Sequence, residues 1–418
     1  MNKFYEKSKE FVVNIESQIK DIFVRYEDIA FHNQKKILSA FINNNVSDNH
    51  LNGSTGYGYN DIGRDTLDKI YAEIFNAEAA VVRGQFVSGT HAISAVLNGL
   101  LFPKDEIIFA TGNPYDTLHK IIGWTSNSSH SLINKGVKVS SVELENNSID
   151  IERVLELMND KTKIIHFQKS RGYTKRNTFS NIELERAFKK VKSKNKDIII
   201  FVDNCYGEFV EKTEPLEHGA DILAGSLIKN PGGGLALWGG YIAGKKQLIA
   251  SILDYAIAPG IGADMGGTQN IIRSFYQGLF ISPSIVKQSL KGAILMSETM
   301  KRLGFEVSPD TKDQRFDIIQ SITFNDKEVL LEFCKGIQNN SPIDSMATPI
   351  PSMLPGYATP VVMAAGTFIQ GASIELSADA PIKKPYTVYV QGGLTYEHIK
   401  IAIIKIIERF LKNEIINF

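Results

Sequence analysis

At 418 residues the chain has room for two or three domains, and 43% hydrophobic with 22% charged residues suits a globular protein with a large core. Lys plus Arg and Asp plus Glu number 46 each, so the formal net charge is zero and neither a nucleic-acid nor a membrane-surface partner is expected. The opening MNKFYEKSKEFVVNIESQIKD holds no apolar signal core, and no run approaches the roughly 20 apolar residues that span a bilayer. Two cysteines, Cys205 and Cys334, make neither a disulfide framework nor a zinc site, so a reduced, cytoplasmic protein without a metal is expected.

Residues 1 to about 45 are predicted as two helices, the first carrying Ile15, Ile19, Ile22 and Phe23 at helical spacing, the second Ile37, Leu38 and Phe41. The Asn/Gly/Ser-rich stretch NNNVSDNHLNGSTGYGYNDIGRD follows as a loop, with Tyr57, Tyr59 and Arg64 as unusual passengers for a linker. They serve a site, or they form a surface loop with a stacked tyrosine and an Arg64 paired to acids of the next helix. That helix is placed at Thr66–Phe75, and Ala80-Val81-Val82 begins a strand.

Gly84 to Gly89 has the glycine spacing of a phosphate-binding P-loop, but Thr90-His91 stands where Lys-Ser/Thr is required, which excludes a nucleotide triphosphatase. Ser88-Gly89-Thr90 instead opens a helix of small and apolar residues. Its free amides, dipole and hydroxyls make an anion seat, although Ser88 as a plain N-cap would read the same way. Ile107–Ala110 is a strand, Tyr115 starts a helix beside its end, and an aromatic there can stack on a flat ring. Ile164–Phe167 is another strand, with His166 read as a satisfied core histidine. It runs into Gln168-Lys169-Ser170-Arg171, where Lys169 and Arg171 hold substrate or merely cap helices.

ELERAFKKVKSKNKD is an amphipathic helix with a solvated outer face. Two short apolar runs then end in polar groups: Ile198–Val202 in Asp203, and Ile222–Ala224 in Gly225-Ser226 with Lys229 three residues on. Buried parallel strands look like this, and their carboxyl edge is where open α/β sheets bind ligands. Singly, Asp203 could be a cap and Lys229 a solvated loop residue. Together they suit pyridoxal phosphate: lysine forms the imine, aspartate pairs with the pyridinium nitrogen and Ser226 contacts the phosphate. Cys205 is read as packing. Tyr206 and Glu208-Phe209 are expected to turn into a helix, Trp238–Gly244 to return as a strand, and 254–270 to be irregular.

A long helical region from about Ile271 to Leu303 leads out of the large unit. Beyond it, strands at ITF (322–324), VVMAAGTF, ASIELS and YTVYV alternate with helices at 326–337 and 396–412, and the four prolines between Pro349 and Pro360 mark an extended connector. The expected division is a helical arm (1–50), a large α/β domain (51–270), connecting helices (271–303) and a small C-terminal α+β domain (304–418) packed with the arm.

In combination, GYGYNDIGRDTLDKIYAEIF, VRGQFVSGTHAI, SLIKNPGGG and YTVYVQGGLTYEH resemble the fold-type-I pyridoxal-phosphate enzymes of cysteine and methionine metabolism. They are most similar to the bacterial "aluminium resistance" or methionine gamma-lyase-like group, over nearly the whole chain. The resemblance implies an α/β fold with a large, mainly parallel sheet and helices on both faces. It also implies a homodimer or homotetramer with the cofactor at the subunit boundary. Lys229 would be the Schiff-base lysine, Asp203 the pyridinium partner, and Ser88, Gly89, Thr90 and Ser226 the phosphate seat. Tyr115 would stack on the ring, and Tyr57 or Tyr59, with Arg64, would reach across from the neighbouring subunit.

One departure stands out. Gamma-lyases grip the substrate α-carboxylate with an arginine of the C-terminal domain, but PIKKPYTVYVQGG holds none. Lys384, Lys169 or Arg171 takes that role, or the substrate differs, because lysine lacks arginine's bidentate fork. The expected chemistry is carbon–sulfur β- or γ-elimination from an amino acid, with freed Lys229 taking the α-proton to give a quinonoid. Aldol cleavage, transamination, decarboxylation and a non-catalytic stress-response binder are the alternatives.

Overall fold

The computed structural model describes residues 3–174, 176–353 and 359–418. The N-terminal arm is one helix, α1 (Lys3–Asn43), and not two. Neither Gly nor Pro interrupts those 41 residues, and Val12, Ile15, Ile19, Phe23, Tyr26 and Ile37 keep one buried stripe along it. The next helix, α2 (Ile62–Ile74), starts a turn earlier than expected because Asp61 caps it, accepting the Arg64 N–H at 2.9 Å.

Strands and helices then alternate: β1 (Ala79–Arg83), α3 (Gly89–Leu100), β2 (Glu106–Phe109), α4 (Asp116–Ile122), β3 (Lys138–Ser141), α5 (Ile151–Leu157), β4 (Thr162–Gln168), α6 (Asn181–Lys194), β5 (Ile199–Asp203), β6 (Ile222–Ser226), β7 (Gly240–Gly244) and α7 (Lys246–Ala256). The seven strands form one sheet in the order β1-β7-β6-β5-β4-β2-β3, with β7 antiparallel to both neighbours and every other pair except β1–β7 parallel. Continuous apolar runs are what a sheet covered on both faces requires, and β2, β5 and β6 are buried at every position. The short β3 escaped the sequence reading because it is a partly exposed edge strand of sequence KVSS.

The long α8 (Ile272–Arg302) leads to β8 (Glu306–Ser308), β9 (Gln320–Thr323), α9 (Lys327–Asn339), β10 (Val361–Ala364), β11 (Ser377–Pro381), β12 (Thr387–Gln391) and α10 (Tyr396–Lys412). These five strands form an antiparallel sheet in the order β10-β11-β12-β9-β8, while α1 packs along α8 and α10. The strand expected at ASIELS begins only at Ser377. The residues before it turn, with the Glu375 carboxylate accepting the N–H groups of Phe368 and Ile369. Of the proline-rich connector, 354–358 lie outside the described residues.

The pleat of this second sheet sorts its residues. Ala378, Ala380, Val388, Val390 and Ile322 belong to the apolar core with α9 and α10. Ser377, Asp379, Tyr389, Gln391 and Ser321 occupy the opposite face, and three of their contacts run to the loop after β4: Asp379 and Tyr389 to Tyr173, and Ser321 to Arg171. A polar sheet face therefore closes over the carboxyl edge of the large sheet.

Candidate active site

β5 and β6 lie side by side with Asp203 opposite Ala224, so their carboxyl ends deliver Asp203 and, one turn beyond Ser226, Lys229 to one place. Both line a narrow cleft of about 40 Å³, shared with Thr90, Tyr115, Cys205 and Tyr206. Lys229 Nζ stands 4.0 Å from the centre of the Tyr206 ring and has no ion pair among the described residues. Burial works against its charge, but Cys205, Tyr206, Asp203 and Glu208 together more than offset that, so its pKa lies above the ordinary lysine value. Burial pushes the Asp203 carboxyl up, opposed by the Lys229 charge and by its contacts with Cys205, whose N–H donates to Oδ1 at 3.1 Å.

The helix opens at Gly89 as the sequence indicated, and Ser88 takes the N-cap reading. Ser88 Oγ accepts the His91 N–H at 3.1 Å, so this hydroxyl serves as the N-cap of α3. Gly89 is required by proximity, since a Cβ there would sit 2.8 Å from Ser226 Cβ. Helix N-terminus and β6 end thus touch, placing the first amides of α3 beside the Ser226 hydroxyl. Such a cradle, with hydroxyls, free amides and a positive helix end, fits a phosphate. Thr90 lines the cleft and its Oγ1 lies 3.2 Å from Thr117 Oγ1. Tyr115 takes the position before α4; its N–H donates to Gln168 Oε1 at 2.9 Å and its ring meets Tyr173 edge-on at 5.5 Å.

Other candidates fall elsewhere. Arg64 is fully buried and does not extend towards the anion cradle. It pairs with Asp65 at 2.8 Å and donates from NH1 to the Gly58 and Gly266 carbonyls, fastening the loop from which Tyr57 and Tyr59 protrude. Those two rings are 67% and 61% exposed and stack on each other at 5.5 Å, outside the chain's own cleft. Lys169 is spent on Glu211 and Asn181, each at 2.8 Å, and does not line the cleft. Arg171 is buried, its NH1 bonded to Ser308 and Ser321 of the second sheet; it does not line the cleft of Lys229 but lines an adjoining pocket that shares Tyr115, Gln168 and Gly172 with it. Lys384 is exposed and lines a separate depression.

Three groups were missed. Tyr206 does not enter a helix; residues 204–210 turn instead, and Tyr206 itself takes φ 70°, a strained conformation for an aromatic. It is held by its hydroxyl on Ser373 Oγ at 3.0 Å and by Asn230, whose side chain donates to its carbonyl. An aromatic three residues after a strand-end acid was the available signal. Glu208 is buried beneath the site with Tyr241 OH donating to it at 2.8 Å. Asp379, on β11, belongs to the polar sheet face. His166 is buried, but not satisfied as expected: neither ring nitrogen has a partner among the described residues, and burial between Phe109 and Phe201 takes its pKa down to about 3.

A seven-stranded, mainly parallel sheet under a small antiparallel one is the fold of the fold-type-I pyridoxal-phosphate enzymes. Residues 8–411 match the methionine gamma-lyase family model, and the chain belongs to that family. It is 46% identical to the uncharacterized protein YnbB of Bacillus subtilis (strain 168), with 98% of each chain covered. A Listeria monocytogenes structure that carries the provisional name cystathionine beta-lyase involved in aluminum resistance is 49% identical, covering 96% of this chain and 99% of that one, with a TM-score of 0.94. MetB from Corynebacterium glutamicum shares the fold at 18% identity and a TM-score of 0.61, over 86% and 88% of the chains. None of the described helices is long and apolar enough to cross a membrane.

Proposed function

We propose that the chain is a pyridoxal-phosphate-dependent carbon–sulfur lyase that splits an amino acid at its β or γ carbon. The observation that carries this reading is a cleft-lining lysine with no ion pair among the described residues, just beyond the strand beside the one that ends in Asp203. Family membership and the cystathionine beta-lyase name borne by the Listeria relative support it. Bound there, the cofactor supplies an electron sink for the charge left at Cα when a proton departs.

The chain's own residues do the rest. Lys229 Nζ holds the cofactor aldehyde and, when free, moves the proton at the substrate Cα. Asp203 keeps the pyridine nitrogen protonated. Gly89 and Thr90 amides with the Ser226 hydroxyl hold the phosphate, and Ser88 orients that turn by capping it. Tyr115 covers the ring. Arg171, in the pocket adjoining the cleft, is the side chain best placed of the three candidates to draw in a carboxylate; Lys169 is neutralised and Lys384 lies aside. Association as a homodimer or homotetramer belongs to the same reading, with the exposed Tyr57 and Tyr59 reaching a neighbouring subunit's phosphate.

The test has two stages. Adding the cofactor to purified protein should raise a visible band, and borohydride should then fix the added mass on the peptide containing Lys229. A panel of sulfur amino acids should next release thiol and 2-oxo acid. Label on another lysine, or none, removes the cofactor assignment; aldehyde release without thiol removes the elimination assignment and keeps the cofactor.

A further inference from the structure

The ring of Tyr206 meets the Lys229 amine at the wall of the cleft, and the fold holds that meeting from two sides. Nζ lies 4.0 Å from the ring centre, and both residues line the cleft. The acids whose charge reaches Nζ, namely Asp203, Glu208 and, from β11, Asp379, make no ion pair with it among the described residues. Asn230, the residue after the lysine, donates from Nδ2 to the carbonyls of Tyr206 at 3.1 Å and Glu208 at 2.9 Å. At the far edge of the ring, the hydroxyl donates at 3.0 Å to the Oγ of Ser373, in the turn before β11. Lysine and ring are thus fixed against each other by the chain itself.

A left-handed φ of 70° suits glycine, so an aromatic kept there answers a demand made of its side chain. The hydroxyl does not answer it by proton transfer, because it is committed to Ser373 and burial pushes its pKa up to about 12. The ring face does answer it, since its negative quadrupole attracts an ammonium, the more so in a half-buried cleft. We propose that Tyr206 is a positioning residue whose ring seats the Nζ ammonium of Lys229 when a substrate amine displaces that lysine from the cofactor. The inference rests on the proposed function and adds a residue to it. In the displacement the cofactor carbon gains a bond to the incoming nitrogen and loses its bond to Nζ. The linkage stays protonated, so two protons pass from the incoming ammonium to Nζ, and Lys229 leaves as an ammonium. Its attraction to the ring favours that release and keeps Nζ in the cleft, where the proton at Cα is to be moved.

The experiment reads release without turnover. Cofactor-loaded protein is titrated with α-aminoisobutyrate, which has no α-proton to lose, and borohydride is added at each step. The added mass on the Lys229 peptide disappears as the lysine is displaced, and the concentration at half-loss is an apparent Kd. Ring charge is varied at nearly constant shape, through Tyr206→Phe and then the monofluoro, difluoro and trifluoro forms of that phenylalanine. Tyr206→Phe and Ser373→Ala, which keep the ring, should stay within about twofold of wild type. The trifluoro ring should raise the apparent Kd about three- to tenfold, the range of a partly desolvated cation–π contact, with the other fluorinated rings in order between.

A fluorine series without a trend overturns the seat. So does a change in Tyr206→Phe or Ser373→Ala as large as that of the trifluoro ring, which would make Tyr206 a strut between the two sheets. Because the rings share one shape, the comparison does not depend on whether a smaller side chain lets the protein fold. No mass on Lys229 before any amine is added would instead sink the cofactor reading, a separate failure.

Discussion

Two lysines, one buried and one half-buried, sit at the same edge of the large sheet and have opposite fates. Lys169 follows β4, is fully buried, and meets Glu211 and Asn181 at 2.8 Å each. Lys229 follows β6, lines the cleft, and faces a tyrosine ring with no ion pair among the described residues. Sequence position makes both plausible catalytic amines. Pairing separates them, because a neutralised ammonium with its protons committed has nothing left for a ligand, whereas the Lys229 ammonium, desolvated but favoured by Cys205, Tyr206, Asp203 and Glu208, keeps its protons uncommitted among the described residues.

Breaking that contrast at Lys229 should have the largest effect. Lys229→Ala should abolish the visible band and lower turnover by at least about 10⁴-fold, the upper range for losing a positioned acid–base group, with the circular dichroism spectrum unchanged. Retained turnover would place the reacting amine elsewhere. Asp203→Asn should be next, lowering kcat by about 10²- to 10³-fold, as for one preorganised electrostatic contact, while cofactor remains attached. A band and kcat equal to wild type would detach Asp203 from the ring nitrogen.

The same change at the other lysine should act on a different quantity. Lys169→Met leaves Glu211 without its cation, and losing one partner of a buried pair costs about 3 kcal/mol of stability. Denaturant melts should show this loss, and below the transition kcat should stay within about threefold of wild type. A large fall in kcat without loss of stability would return Lys169 to the substrate site.

How far this contrast could be read beforehand depends on the period of the signal. The apolar runs ending at Asp203 and Ala224 announced buried parallel strands, and Lys229 was legible because its spacing to Ser226 is local. Lys169 was not, since its neutralising partner lies 42 positions on and only the turn after β5 brings it back. The polar face of the second sheet was hidden for a similar reason. Asp379 and Gln391 are 12 positions apart and meet only through antiparallel register, and their strand was expected a few residues too early, at ASIELS. Arg64 was read either as a site residue or as paired to acids of the next helix, and the second reading holds in its pair with Asp65; the carbonyl from Gly266 that also encloses it, 202 positions away, could not be read. Tyr206 was obscured because a left-handed aromatic goes against local preference, as residues at strained sites do.

The smallest effect, and the sharpest on electrostatics, concerns an acid that feels the Lys229 charge. Glu208 is fully buried, one oxygen accepts from Tyr241 and the other has no partner among the described residues. Burial first, with the nearby Glu214 adding, pushes its pKa up to about 8 against opposing contacts that include Lys229. Unfolded, it would titrate near 4.5. Between those values the native chain keeps a proton that the unfolded chain has released, so stability should fall as pH rises from about 4.5 to about 8, by at most about 1.4 kcal/mol per pH unit from this group. Glu208→Gln removes the titration and keeps the shape. Thermal melts across that window should therefore fall less steeply for the variant, the two curves lying closest at the acidic end, where Glu208 is itself neutral. Parallel curves would mean that Glu208 is ionised throughout, stabilised by the charge of Lys229, and would bring that lysine's lack of an ion pair into question.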